Sequence, residues 1–90
     1  MELMPRVSFF YGIAIYMYWN ERDHPVPHFH AIQAEREASI SVDGVVLAGQ
    51  LDRRELNLVL GWARLHREEL LANWELARGS QPIRPITPLS

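Results

Sequence analysis

Three of the four histidines in this chain fall within seven residues, H-P-V-P-H-F-H at positions 24–30. Imidazoles this close can hold a divalent metal, pass protons to and from a substrate near neutral pH, or sit as satisfied polar aromatics on a sheet. An H-x-H spacing on a strand puts His28 and His30 on one face about 7 Å apart, within reach of one ion, phosphate or water. For a metal, the candidate ligands are His24, His28 and His30, with Glu35 as a further carboxylate. For acid/base chemistry, His28 and His30 would be the catalytic pair. Arg22 or Arg36 would then hold an anionic group such as an RNA phosphate, and the 2′-hydroxyl of the RNA would be the nucleophile, so cleavage would need no metal. The structural alternative is that the histidines pack against tyrosines across the sheet and are satisfied by water or a serine.

The elements that position these side chains follow from residue type and period. Residues 7–19 are rich in β-branched and aromatic types, interrupted at Gly12, and predict a short strand over 7–10 leading into a longer one over 13–19. Residues 20–27 form a loop stiffened by Pro25 and Pro27, and strands resume at 28–34 and 38–42. Asp43-Gly44 signals a tight turn into a return strand over 45–48, which completes an antiparallel meander of four to five strands. Alternation assigns Ile13, Ile15, Met17, Trp19, Phe29, Ala31, Ile40 and Val42 to the core face. The opposite face then carries Tyr16, Tyr18, His28, His30, Ser39 and Ser41, with Tyr16, Tyr18, His24 and Arg36 as candidate binding residues around the histidine pair.

From Asp52 the period becomes helical. Leu56, Val59, Leu60, Ala63, His66, Leu70, Leu71, Trp74 and Ala77 share one broad sector, which predicts one long C-terminal helix. Asp52 and Glu55 form a D-x-x-E start signal, and Gly79 with Pro82 makes a stop. Such a helix is on the order of 40 Å long, longer than a small sheet needs, so either Gly61 kinks it or one end projects. A sparser apolar stripe, Leu58, Trp62, Leu65 and Leu76, runs along its other side. This stripe is either covered by the C-terminal tail over residues 83–89 or is an interface with a partner or a second copy. Residues 80–90 read as an extended, proline-stiffened tail.

Composition bounds the rest. Ninety residues, 48% hydrophobic, suit one α+β domain over 1–90. The absence of cysteine removes disulfides and thiolate metal sites and fits a cytoplasmic protein. The apolar N-terminal run is too short to span a bilayer, so no membrane partner is expected. All nine basic residues are arginine, yet the net charge of −2 argues against indiscriminate nucleic-acid binding while leaving room for a local RNA contact. No cofactor is expected beyond the candidate divalent metal. His66, on the apolar side of the helix, reads as a hydrogen-bonded residue at the core edge.

The stretches M-P-R-V at 4–7, F-Y-G-I at 10–13, P-V-P-H-F-H-A at 25–31 and H-R-E-E-L-L-A-N-W-E-L-A at 66–77 together resemble a family of small bacterial and archaeal proteins, the domain of unknown function 4160. The loop differs from that pattern in carrying Val26 between two prolines that are commonly adjacent. The resemblance implies little chemistry. It does imply a small partner protein encoded nearby, in a pair of toxin–antitoxin type, with a homo-oligomer as the other way to use the second apolar stripe. The expectation is therefore a component of a two-protein module that contacts or cleaves RNA, metal-independently or metal-assisted, through the histidine face. The alternative is a binding or regulatory protein without enzymatic activity.

Overall fold

A computed structural model describes residues 5–19 and 26–90 of the chain. Five strands, β1 (Arg6–Phe10), β2 (Ile13–Tyr16), β3 (His28–Gln33), β4 (Arg36–Ser41) and β5 (Val46–Gly49), precede two helices, α1 (Arg53–Leu65) and α2 (Arg67–Arg78). The strands form one antiparallel sheet in chain order, β1-β2-β3-β4-β5. The α+β class and the meander are as the sequence predicts.

Local sequence explains the turns. Phe10 pairs with Ile13 across Tyr11 and Gly12, whose φ values of 52° and 77° are both left-handed, as a two-residue hairpin of type I′ requires. Glycine meets that demand without strain, and tyrosine does not. At the end of β5, Gly49 has φ 73° and lies so close to β4 that an added Cβ would stand 2.1 Å from the carbonyl oxygen of Glu37. Only glycine lets the strand turn away there toward α1.

The helical segment departs from expectation. In place of one long helix kinked at Gly61, the chain breaks at His66, with φ −115° and ψ 27°. Gly61 lies inside α1. The flanking bonds survive the break: His66 N–H donates to Trp62 O, and Leu70 N–H donates to His66 O. Charges match two helix ends at this point, with Arg64 in the last turn of α1 and Glu68 and Glu69 in the first turn of α2. Glu69 also holds the His66 imidazole. Asp52 stands at the N-cap of α1, but its side chain caps nothing and instead meets Arg36 at 3.4 Å, so the expected capping box does not form.

The break lets the two helices cover different parts of the sheet. α1 lies on the core face, where Trp62 packs between Phe10 and Phe29 at centroid distances of 5.2 and 6.0 Å. α2 begins beside the β4–β5 turn, where Arg67 Nε donates to Asp43 Oδ1 at 2.8 Å. It then runs along the end of the sheet at which β3 starts and β4 finishes. Of the core residues selected by periodicity, Ile13, Ile15, Met17, Phe29, Ala31, Ile40, Val42, Val59, Ala63, Leu70 and Trp74 are buried, while Leu56 and Leu60 pack half-buried at its edge. Trp19 is not among them: β2 ends at Tyr16, so strand parity no longer holds at Trp19, which is exposed.

The C-terminal tail folds back, as one of the two readings of the second stripe expects. Ile86 is buried, its N–H donates to Val7 O at 2.8 Å, and Ile83 and Leu89 pack against the core. Trp62 therefore does not belong to an outer interface. Its side chain is fully enclosed, and its indole N–H donates to Thr87 O at 2.9 Å. The stripe itself is split by the break: Leu58 and Leu65 remain two turns apart on α1, whereas Leu76 lines a cleft between α2 and the tail. Leu65 is the most exposed large apolar side chain among the described residues.

Candidate functional site

β3 carries the H-x-H pair in the middle of the sheet. On one side His30 pairs with Tyr16 of β2, and on the other His28 and His30 pair with Ser41 and Ser39 of β4. Antiparallel partners point the same way, so Tyr16, His28, His30, Ser39 and Ser41 share the face opposite Phe29 and Ile40. Tyr18, just beyond β2, lies flat on the His30 ring, with centroids 4.7 Å apart and planes within 5°. His28 meets His30 edge-on at 5.3 Å. The structure thus brings together the six residues the sequence placed here: Tyr16, Tyr18, His28, His30, Ser39 and Ser41.

The environment is not the open surface that alternation suggested. His28 is 1% exposed, His30 5%, and Ser39 and Ser41 8% each. Trp74 of α2 packs on His28 at 5.1 Å, because the second helix closes the sheet end where β3 begins. His28 Nδ1 lies 2.8 Å from Val26 O. A carbonyl only accepts, so this nitrogen carries the proton, and Nε2 is the acceptor nitrogen of the neutral ring. His30 Nδ1 faces two oxygens, Ser39 Oγ at 3.2 Å and Glu37 Oε2 at 3.4 Å. The Glu37 carboxylate is half-exposed, so water screens its attraction for the ring and limits it to less than about 1 kcal/mol.

Other candidates fall elsewhere. Arg36 pairs with Gln33 at the far end of β3, three residues from the Ser39–His30 pair and so about 10 Å away. Strand parity turns it to the helix side, where it meets Asp52, so it does not hold an anion against the histidines. Glu35 sits in the β3–β4 turn at that same far end and cannot join His28 in a ligand set. Arg22 and His24 lie outside the described residues. Among the described residues, no three His, Cys, Asp or Glu side chains converge on a metal position.

Two members of the cluster escaped the sequence reading. Glu37 shares the parity of Ser39 and Ser41 in R-E-A-S-I-S, and starting that strand two residues earlier would have found it. Trp74 was legible as core, but its contact with His28 depends on the break at His66, which turns α2 across the sheet end.

A five-stranded meander with two helices, enclosing a histidine–tyrosine–serine cluster, defines a small α+β protein. The chain belongs to the family described as domain of unknown function (DUF4160), whose model matches residues 12–75. That match takes in the cluster, α1 and most of α2. No curated protein and no solved structure matches the chain. No helix among the described residues is long and apolar enough to cross a membrane.

Proposed function

We propose that this chain is a non-catalytic binding or regulatory protein, the structural member of a two-protein module of toxin–antitoxin type in the cytoplasm. The observation that carries this reading is the enclosure of His28 and His30 at 1% and 5% exposure. An imidazole that shuttles a proton to a polymer must reach the reacting oxygen at hydrogen-bond distance. Rings stacked under Tyr18 and Trp74 present almost no surface to an RNA strand. They do satisfy each other's faces and edges, and they join three strands to α2, which is what a polar core cluster does.

The partner is a second small protein, and Leu58 and Leu65 on α1 are the contact under test. Leu65 is 72% exposed, which makes it the apolar side chain of this helix that a partner surface would cover most fully. Co-expression of this chain with the protein encoded beside it, followed by light scattering on the purified complex, tests the reading. Wild type is expected to form a defined complex that Leu65→Glu weakens without lowering the melting temperature, whereas Leu58→Glu, at a half-buried position packed against the core, weakens it and lowers the melting temperature as well. A wild-type chain that stays monomeric beside that protein overturns it.

A second reading is favoured by one observation. His30 stands between Ser39, Glu37 and the edge of His28, so a proton on this pair has neighbours to move to. RNA contact or cleavage on this face, with or without a divalent metal, predicts that wild type cuts a short RNA and that a folded His30→Gln chain does not.

A further inference from the structure

The C-terminal tail reads as three triplets, Pro82-Ile83-Arg84, Pro85-Ile86-Thr87 and Pro88-Leu89-Ser90, each Pro–apolar–x. Its burial follows the same period: Ile83 and Leu89 are half-buried, Ile86 is buried, and every residue between them is exposed. A burial period of three is that of a polyproline II helix, with three residues per turn and one face presented every third residue. Proline at every third position fixes φ where that conformation needs it.

The groove that receives the tail reads its backbone. Asn73, 2% exposed, donates from Nδ2 to Arg84 O and accepts at Oδ1 from Arg84 N–H, both at 2.8 Å. Trp62 donates from its indole to Thr87 O at 2.9 Å, and Val7 O accepts from Ile86 N–H at 2.8 Å. These contacts touch no side-chain polar atom of the tail, so any chain with the same spacing would satisfy them. Polyproline II segments are recognised in general by grooves lined with aromatic side chains, and here one indole, Trp62, and one side-chain amide, Asn73, supply the donors. The two anchors that donate, Trp62 and Asn73, lie inside the stretch that matches the family, and the tail lies outside it.

From these observations we infer that the groove formed by Trp62, Asn73 and the edge of β1 is a binding site for an extended Pro–apolar–x segment, and that residues 82–90 occupy it in cis as a displaceable strap. The ligand class in trans is a proline-triplet segment of another polypeptide. Ile86 is the one fully buried strap residue, so opening the strap uncovers Trp62, Asn73 and their apolar neighbours but leaves the sheet and both helices in place, and it costs less than global unfolding. The inference does not depend on any role of the histidines.

The test uses the full chain and a fluorescent synthetic peptide, QPIRPITPLS, followed by anisotropy. In wild type the tethered strap competes at an effective concentration of about millimolar, so the peptide is expected to bind weakly. Ile86→Asp weakens the strap in cis, and the peptide should then bind at least about tenfold tighter. Adding Asn73→Ala to that chain should remove the gain, and a peptide with serine at its three apolar positions should not bind. Tail exchange between two copies, seen as a dimer that the peptide dissociates, also supports a groove that works in trans. No peptide binding to a folded Ile86→Asp chain overturns the inference. If Ile86→Asp fails to fold, Leu89→Ser, which loosens only the last triplet, is expected to raise peptide affinity above wild type, and an unchanged affinity overturns the inference equally.

Discussion

Trp74 of α2 packs its indole on the imidazole of His28 at the start of β3, with centroids 5.1 Å apart and planes inclined by 53°. The contact ties the helix beyond the break to the strand that carries the histidines. It makes His28 part of the seam between sheet and helix rather than a group presented to solvent.

Trp74 is 3% exposed and sits in the main core cluster, so Trp74→Ala should lower stability by about 3–5 kcal/mol in denaturant titrations. Because part of that loss is contact with His28, a double-mutant cycle with His28→Ala should return a coupling of about 0.5–1.5 kcal/mol. Additive single changes would place the two rings in separate environments.

Gly49 is where β5 comes too close to β4 for any side chain. A Cβ there would stand 2.1 Å from Glu37 O, in a backbone with φ 73°. Gly49→Ala should cost about 3 kcal/mol or more, since the strand must move and the backbone is also strained. A midpoint within error of wild type would show that β5 does not approach β4 this closely at Gly49.

Ser80, not Gly79, takes the left-handed position after α2, with φ 58°. The Gln81 N–H donates to Leu76 O and the Ser80 N–H to Ala77 O, the two bonds of a Schellman motif. Ser80→Gly should therefore stabilise the chain by about 0.5–1 kcal/mol. Ala34, with φ 56° in the β3–β4 turn, should respond the same way to Ala34→Gly. A loss of stability at either position would contradict the left-handed assignment.

Much of this molecule is legible because strand parity is a strong code. The alternation of Ile13 and Ile15 against Ala14 and Tyr16, and of Ile40 against Ser39 and Ser41, fixed the two faces and brought His28, His30, Tyr16 and Tyr18 together. Parity says which way a side chain points. It does not say what covers that direction, and so the burial of the histidines was not foreseen. That cover comes in part from α2, whose course is set by one residue, His66. A helical period continues smoothly through His66 in apolarity, and only the charge pattern of Arg64 followed by Glu68 and Glu69 marks two helix ends there. The same break explains Trp62. With one rigid helix it falls outside the core sector, whereas a shorter α1 rotates toward Val59, and Trp62 enters between Phe10 and Phe29. Arg36 lies apart from the histidines for a simpler reason: β4 begins at Arg36, and strand parity there faces the helix.

The most direct measurement is the chemical accessibility of the histidines in the folded protein. Brief treatment with diethyl pyrocarbonate in mildly alkaline buffer, where ordinary imidazoles are neutral, modifies exposed rings, and tandem mass spectrometry locates each adduct. His66, whose side chain is 18% exposed, serves as the internal reference. Enclosed His28 and His30 react only through opening of the structure, so their modification should be slower than that of His66 by on the order of tenfold or more, with the difference vanishing in denaturant. Modification of His28 and His30 at the rate of His66 in the folded chain would contradict the enclosed cluster and restore the histidine face as a surface open to RNA.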